Sequence, residues 1–464
     1  MLFSSNVFLY FYIPIVLALY FITPRKARNV VLFSVSLFFY GWGEPVYVLL
    51  MVATIALNYI CGAIIHNRKA AQRSAKAALI VGVVLNIAIL GFFKYATFLM
   101  ESLQALLPMV KLPIPEISLP IGISFYVFQS MSYIIDVYRD DAPVQKNPIT
   151  FGTYVTLFPQ LIAGPIVRYA DVAQQLQHRR EKLETVASGI RLFVVGLAKK
   201  VLLANQMGVL WDYLQTQTGT LAAWVGIAAY ALQLYFDFSG YSDMAIGLGR
   251  MFGFEFLINF NYPYIAKSIT DFWRRWHISL STWFREYVYI PLGGNRKGLK
   301  RQILNLLVVW GLTGFWHGAS WNYILWGVYF GVILIVEKLF LLKWLKKAPK
   351  LLSHLYALVL ILVGWLIFAF PDMNEGMSVL KAMFGVGVDS FATSGVVYDM
   401  LRYLPLMLIC IVGATPLPKK IYTQLTEKYA FARYLVPVGV AASVLICTAY
   451  MVDSSFSPFL YFIF

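Results

Sequence analysis

Two histidines stand where histidine is costly. His317 lies in GFWHGASWNYILWG, residues 314–327, and His277 in SITDFWRRWHISLSTWFREYVYIPLGGNRKG, residues 268–298. Both stretches are rich in tryptophan, phenylalanine and tyrosine. His317 follows the basic loop ending at Arg301 by sixteen residues. At 1.5 Å per residue of helix that is about 24 Å of depth, at or past the middle of a hydrocarbon core about 30 Å thick. An ionisable side chain there costs several kcal/mol unless it faces protein or water. An imidazole has one evident chemical use in such a place. With a reference pKa near 6.5 it can act as a general acid or base near neutral pH. Burial in general lowers an imidazole's pKa and keeps the ring neutral and basic. The structural alternative is a neutral histidine hydrogen-bonded between helices.

The neighbouring residues frame both options. Gly311, Gly314 and Gly318 recur at three- and four-residue spacing, which places them on one helix face and lets a second helix or a ligand approach closely. Trp316, Trp321 and Trp326 flank His317 as pocket walls or interfacial anchors. The spacing of Trp273, Trp276, Leu280, Phe284 and Tyr287 predicts an amphipathic helix in the membrane interface. On that helix His277 points with the aromatic side chains, while Arg274, Arg275, Ser281, Thr282, Arg285 and Glu286 take the other sides. Upstream, LYFDFSGYSDMAIGLGRMFGFEFLINFNYPY carries Asp237 and Asp243 around a Ser-Gly break. Ser242 or Asp243 would cap a second helix there, or the polar residues would line a cavity.

The elements that must position these residues are apolar throughout. Of 464 residues, 60% are apolar and 13% charged, against about 45–50% and about 25% in soluble proteins. Mean hydropathy is +0.69. The apolar residues fall in blocks of about 18–25, long enough to span a bilayer as helices, whereas a membrane barrel shows alternating segments of about 10 residues. The expected fold is therefore all-α and polytopic, a single membrane domain over residues 1–464. Blocks run from Leu2–Ile22 to Tyr434–Met451, and several are too short to cross alone. Roughly ten to twelve crossings are expected, with re-entrant and interfacial helices besides.

Charge gives the orientation. The first block has no basic residues before it and no small-residue cleavage site, so it reads as an uncleaved span. The basic segments TPRKARN, HNRKAAQR at 66–73, GGNRKGLKR at 293–301 and KWLKK at 343–347 are expected in the cytoplasm, which puts both termini outside. The net charge of +16 is then mainly the sum of these loops and implies no nucleic acid. Cys61, Cys410 and Cys447 sit in or beside apolar blocks without metal-ligand or disulfide spacing. No metal site is expected.

The motifs FDFSGYSDMAIGLGRMFG, FNYPY, FWRRWHISLSTWFR, YIPLGGNR and GFWHGASWNYILWG, in this order, resemble the membrane-bound O-acyltransferases. They concentrate in residues 232–330. The resemblance is nearest to the branch that acetylates alginate, with relatives that act on peptidoglycan and on teichoic acid. It implies a ring of tilted helices around a central tunnel reached from both sides. It places the family's essential intramembrane histidine at His317 and its second motif position at His277, which could polarise the acyl carbonyl, orient the donor or shape the surroundings of His317. Trp316, Asp237 and Asn261 are candidate pocket residues.

The function expected from the resemblance is transfer of acetyl groups from cytosolic acetyl-CoA to a polysaccharide outside a bacterial cytoplasmic membrane. No cofactor is bound permanently. The partners expected are membrane lipid and an extracytoplasmic transferase of the SGNH-hydrolase type. Arg274, Arg275, Arg296 and Lys297, with Lys300 and Arg301 beside them, would attract the phosphates of coenzyme A, or would simply mark cytoplasmic loops. In the C-terminal region 434–464 the tail SPFLYFIF carries Tyr461. Its phenol is a candidate acyl acceptor that relays acetyl to the partner, or an interfacial anchor. Two other readings stand beside this one: an exporter of an anionic precursor, and a D-alanyl transferase acting on teichoic acid. An exporter often carries an internal repeat with paired broken helices, and no second copy of FDFSGYSD or WHGASW is present.

Overall fold

A computed structural model describes residues 1–162 and 164–453. The described chain is 77% helical and contains no strands, as the apolar blocks require: backbone polar groups that find no water must pair within their own segment. Seven of the described helices are long and apolar enough to cross a membrane. That is fewer than the ten to twelve crossings expected from the apolar blocks. Several blocks form helices that are short, or carry too much charge, to count alone; residues 8–22 are one such helix. This is a multi-pass membrane protein.

The chain divides into two compact units, residues 1–193 with 242–257, and residues 194–241 with 258–464. The first contains α1 (Phe8–Ile22), α2 (Arg28–Gly43), α3 (Tyr47–Ala70), α4 (Lys76–Leu106), α5 (Ile123–Arg139) and α6 (Pro148–Thr156), and most of α7 (Leu183–Ala198). The N-terminus of α6 is built by its sequence: Pro148 takes the first turn and the Asn147 side chain accepts from Ile149 N at 2.9 Å and Thr150 N at 3.2 Å. α3 and α4 are joined in their buried interior by a reciprocal amide pair, Asn58 with Asn86, at 3.0 and 2.8 Å. Gly62 on α3 lies against the Tyr133 ring of α5, where a Cβ would come within 2.5 Å of ring carbon.

The second unit takes the first part of α8 (Thr220–Met251), then α9 (Ile269–Trp273), α10 (Ile278–Phe284), α11 (Gly298–His317), α12 (Trp321–Leu345), α13 (Lys350–Ala369), α14 (Ser394–Gly413) and α15 (Ala430–Asp453). Its core is aromatic. Trp273 packs on Trp310 with ring centroids 4.6 Å apart and on Phe330 at 5.0 Å, and Trp276 packs on Trp365 at 4.8 Å. Outer faces are apolar as well: Leu408 on α14 and Leu445 on α15 are 52% and 68% exposed. A soluble protein rarely leaves such faces to water, and lipid covers them here.

Two expectations are corrected at this level. α8 runs unbroken through Ser239 and Gly240, so Ser242 and Asp243 cap nothing. Gly240 serves packing instead, since a Cβ there would lie 2.7 Å from Gly196 O. The segment from Trp273 to Tyr287, in contrast, is not one amphipathic helix. It breaks between α9 and α10 at His277.

In the first unit a charged knot ties α1 to the loop before α7. Arg28 pairs with Glu181 at 2.6 Å, Tyr20 donates to the same carboxylate, and Arg179 Nε donates to the Tyr20 oxygen at 3.0 Å. Burial by itself raises the pKa of Glu181, but the hydrogen bond from Tyr20 and the charge of Arg28 outweigh it and hold the carboxyl below its ordinary value. A depressed carboxylate adds stability that is present above the unfolded-state pKa and is lost as pH falls through the folded one. Thermal unfolding in detergent should therefore show Glu181→Gln losing more stability at pH 7 than near pH 4. Equal losses at the two pH values would show that the charge of Glu181 contributes nothing.

Candidate active site

Within the segment between α8 and α11, the start of α9 is held in place by one carboxylate. Glu337, on α12 and fully buried, accepts from Ile269 N at 2.7 Å, Thr270 N at 2.8 Å, Thr270 Oγ1 at 2.6 Å and Tyr356 OH at 3.1 Å. It thereby satisfies the orphan N–H groups that open α9, with Ser268 Oγ accepting from Asp271 N at 3.0 Å. From there the chain passes Trp273 and Trp276, both buried in the aromatic core, to His277.

His277 has φ +46°, a left-handed conformation rare for a side-chain-bearing residue. Its backbone stands at the start of α10 and its imidazole is 1% exposed. Asn259 holds this turn at three points: its carbonyl accepts from Ile278 N at 3.0 Å, and its Oδ1 accepts from Ser279 N at 3.2 Å and Ser279 Oγ at 2.9 Å. The His277 ring stands edge-on to Phe238 at 4.7 Å and lies 6.1 Å from the ring of Trp316. Burial lowers its pKa from the ordinary imidazole value.

His317 is the last residue of α11 and is 7% exposed. The chain turns extended at Gly318 and re-enters a helix at Trp321. The return is possible because Gly314 and Gly327 press α11 and α12 together backbone to backbone. A Cβ on Gly314 would meet the Tyr323 carbonyl and one on Gly327 the Trp310 carbonyl. The expected single glycine face is not what forms. Gly311 has open space, and Gly318 lies beyond the helix end against the Tyr323 ring. The His317 ring is boxed by Trp326 at 4.9 Å, Trp316 at 5.1 Å and Phe368 at 5.5 Å, each close to edge-on. Trp316 thus neighbours both histidine rings.

The remaining candidates separate. Asp237 is buried in an ion pair with Lys200 at 2.5 Å, which fixes α8 rather than offering a free carboxylate. Asn261 is exposed, with its backbone paired to Arg275; the buried asparagine of that segment is Asn259, 1% exposed, which sequence reasoning passed over. Arg275 is engaged with Asp271 at 2.9 Å. Arg274, Arg296 and Lys297 are exposed, as are Lys300 and Arg301. Tyr461 lies outside the described residues. The three cysteines are free and buried, and among the described residues no group of His, Cys, Asp or Glu could hold a metal.

Residues 139–371 match the model of the membrane-bound O-acyltransferase family. The chain belongs to that family. It is 45% identical over 395 residues to a protein of Azotobacter vinelandii described as "Probable alginate O-acetylase AlgI", covering 83% of this chain and 79% of the other. A Pseudomonas putida protein of the same description is 40% identical over the whole length of both. The peptidoglycan O-acetyltransferase of Helicobacter pylori is 35% identical over 426 residues, covering 83% of this chain and 80% of the other. The protein is an O-acyltransferase of the membrane, and both histidine-bearing segments lie inside the matched region.

Removing the Glu337 carboxylate would orphan two buried backbone N–H groups and two hydroxyls, at about 1–3 kcal/mol for each group left unsatisfied. Glu337→Ala should lower the melting temperature in detergent markedly. Glu337→Gln should fall between, because its amide presents N–H to N–H on one side. A melting curve of Glu337→Ala that overlays the wild type would show that this carboxylate does not hold the segment.

Proposed function

We propose that this protein transfers acetyl groups from acetyl-CoA, arriving from the cytoplasm, to a polysaccharide outside the cell membrane, with His317 as the general base. The observation that carries the reading is the pair of buried imidazoles beside the Trp316 indole, within a chain of this family. The substrate class follows the two kinds of relative, one acting on alginate and one on peptidoglycan, of which the alginate-type relatives are the more similar. An alginate-like polymer is therefore the first acceptor to test.

The chemistry is ordinary acyl transfer. An acceptor hydroxyl attacks the thioester carbonyl, and its proton passes to His317 as the new C–O bond forms. The tetrahedral adduct collapses, the C–S bond breaks, and the coenzyme A thiolate leaves and regains a proton, which the imidazolium can supply. The aromatic box excludes water, so the thioester is protected from hydrolysis until an acceptor arrives. Exposed Arg274, Arg296 and Lys297 suit the approach of a phosphate-bearing donor from the cytoplasmic side. The positions of the basic loops favour both termini outside.

His317→Ala should lower transfer from radiolabelled acetyl-CoA by about 10²–10⁴-fold, the range expected for loss of a general base, with the protein still folded by size-exclusion profile and tryptophan fluorescence. Transfer at the wild-type rate would make His317 structural.

The acceptor hydroxyl inside the membrane is proposed to be Tyr461 of the C-terminal tail, which would take the acetyl group as an aryl ester and present it to an extracytoplasmic transferase of the SGNH-hydrolase type. Tyr461→Phe keeps the ring and removes only the oxygen. It should abolish polymer acetylation, and mass spectrometry of the wild-type C-terminal peptide should show an added acetyl group. Full polymer acetylation by Tyr461→Phe would leave direct transfer as the route.

A further inference from the structure

The Asn259 side chain settles which nitrogen of His277 carries hydrogen. Ser279 N is a backbone N–H and can only donate, so the Asn259 atom it meets at 3.2 Å must be the carbonyl oxygen Oδ1 and not the amide nitrogen. The Ser279 hydroxyl points at the same oxygen, at 2.9 Å. His277 Nδ1 lies 3.1 Å from that oxygen. A bare Nδ1 lone pair facing a carbonyl oxygen would set acceptor against acceptor in a buried site, where an unmade hydrogen bond costs most. Nδ1 therefore carries the proton and donates it to Oδ1. The neutral ring then has its lone pair on Nε2. The imidazolium would have N–H groups at both positions, so the proton that comes and goes is the one on Nε2.

The backbone makes this arrangement rigid. A residue at φ +46° is strained for an L side chain and persists only where its surroundings enforce it. Asn259 enforces it, by its own carbonyl to Ile278 N at 3.0 Å and by Oδ1 to Ser279 N. One asparagine sets both the turn that presents the ring and the tautomer of the ring.

We infer that Asn259 is a positioning residue that locks His277 as the Nδ1–H tautomer, so that the neutral ring meets a substrate through Nε2 as an acceptor and not as a donor. The inference rests on the proposed placement of His277 in the acyl-transfer site. It decides among the roles open to that residue. A neutral His277 cannot polarise the thioester carbonyl, because that needs an N–H aimed at the oxygen. It can accept from a hydroxyl, as on the acyl acceptor, or from an amide N–H, as on the pantetheine arm of coenzyme A. His277 would therefore orient a donor-bearing group, or take its proton, beside His317.

The test reads the tautomer directly. The full-length protein in detergent, labelled with ¹⁵N-histidine, contains five histidines, and the His277 signals are those lost in His277→Gln. Protonated and lone-pair ring nitrogens have well-separated ¹⁵N shifts. Wild type should show a protonated Nδ1 and a lone-pair Nε2. Asn259→Asp keeps an acceptor oxygen and should keep the proton on Nδ1, while its negative charge favours a second proton on Nε2. Asn259→Leu removes the acceptor and should mix or reverse the two nitrogens, with kcat falling about 10²-fold and KM for acetyl-CoA little changed. Ser279→Ala removes one donor from the same oxygen and should leave the tautomer intact. A wild-type His277 with its proton on Nε2, or an Asn259→Leu protein with an unchanged tautomer, overturns the inference. If Asn259→Leu does not fold, the wild-type spectrum still decides. An active His317→Ala would sink the proposed mechanism without touching this result, because the tautomer is read without turnover.

Discussion

The Glu337 carboxylate is fully buried and accepts four hydrogen bonds, two of them from backbone N–H groups that open a five-residue helix. That contact lets the chain on either side of α9 stay irregular. A membrane protein pairs its backbone within helices because water is absent, yet the stretch from Asn259 to Ile278 is largely irregular. Irregular backbone survives in an apolar interior only where side chains replace the missing helical partners. Glu337, Ser268 and Asn259 do so in turn. Without them these backbone groups would be buried unpaired.

Close backbone approach is the second requirement. Gly314 and Gly327 let α11 and α12 touch, and the tight return at Gly318 brings Trp326 and Phe368 around His317. The histidine sits at a helix end because its site is made by the chain on both sides of the turn. The tryptophans that looked like interfacial anchors divide by this geometry. Trp316 and Trp326 are 3% and 1% exposed and wall the site, while Trp321 is 61% exposed and faces outward.

Burying two imidazoles beside one indole is expensive for a fold. An edge-on ring holds the His317 imidazole by its face and edge rather than by a hydrogen bond. The polar contact that reaches His277 through Nδ1 comes from Asn259, a neutral amide. A carboxylate at that point would favour the imidazolium, whereas an amide leaves the ring free to stay neutral. The same economy of charge appears at Asp237, whose partner Lys200 neutralises it within α8's surroundings.

Class, membrane habit and the two histidines were legible in the sequence, because hydrophobic length and the rarity of ionisable residues in apolar blocks are properties of composition and spacing alone. The family was legible too, in motifs long enough to be specific. Conformations that depend on partners distant in the chain were not. A Ser-Gly pair reads as a break, but Gly196 packs against Gly240 and the helix runs on. The spacing of Trp273 to Tyr287 reads as one helix, but Glu337, about sixty residues later, and Asn259, eighteen earlier, stabilise a break that local propensity opposes. Periodicity reports only which face a residue would take if its helix continued. Whether the helix continues is decided by hydrogen bonds from elsewhere in the fold, and at His277 one of those partners, Asn259, also meets the ring at Nδ1.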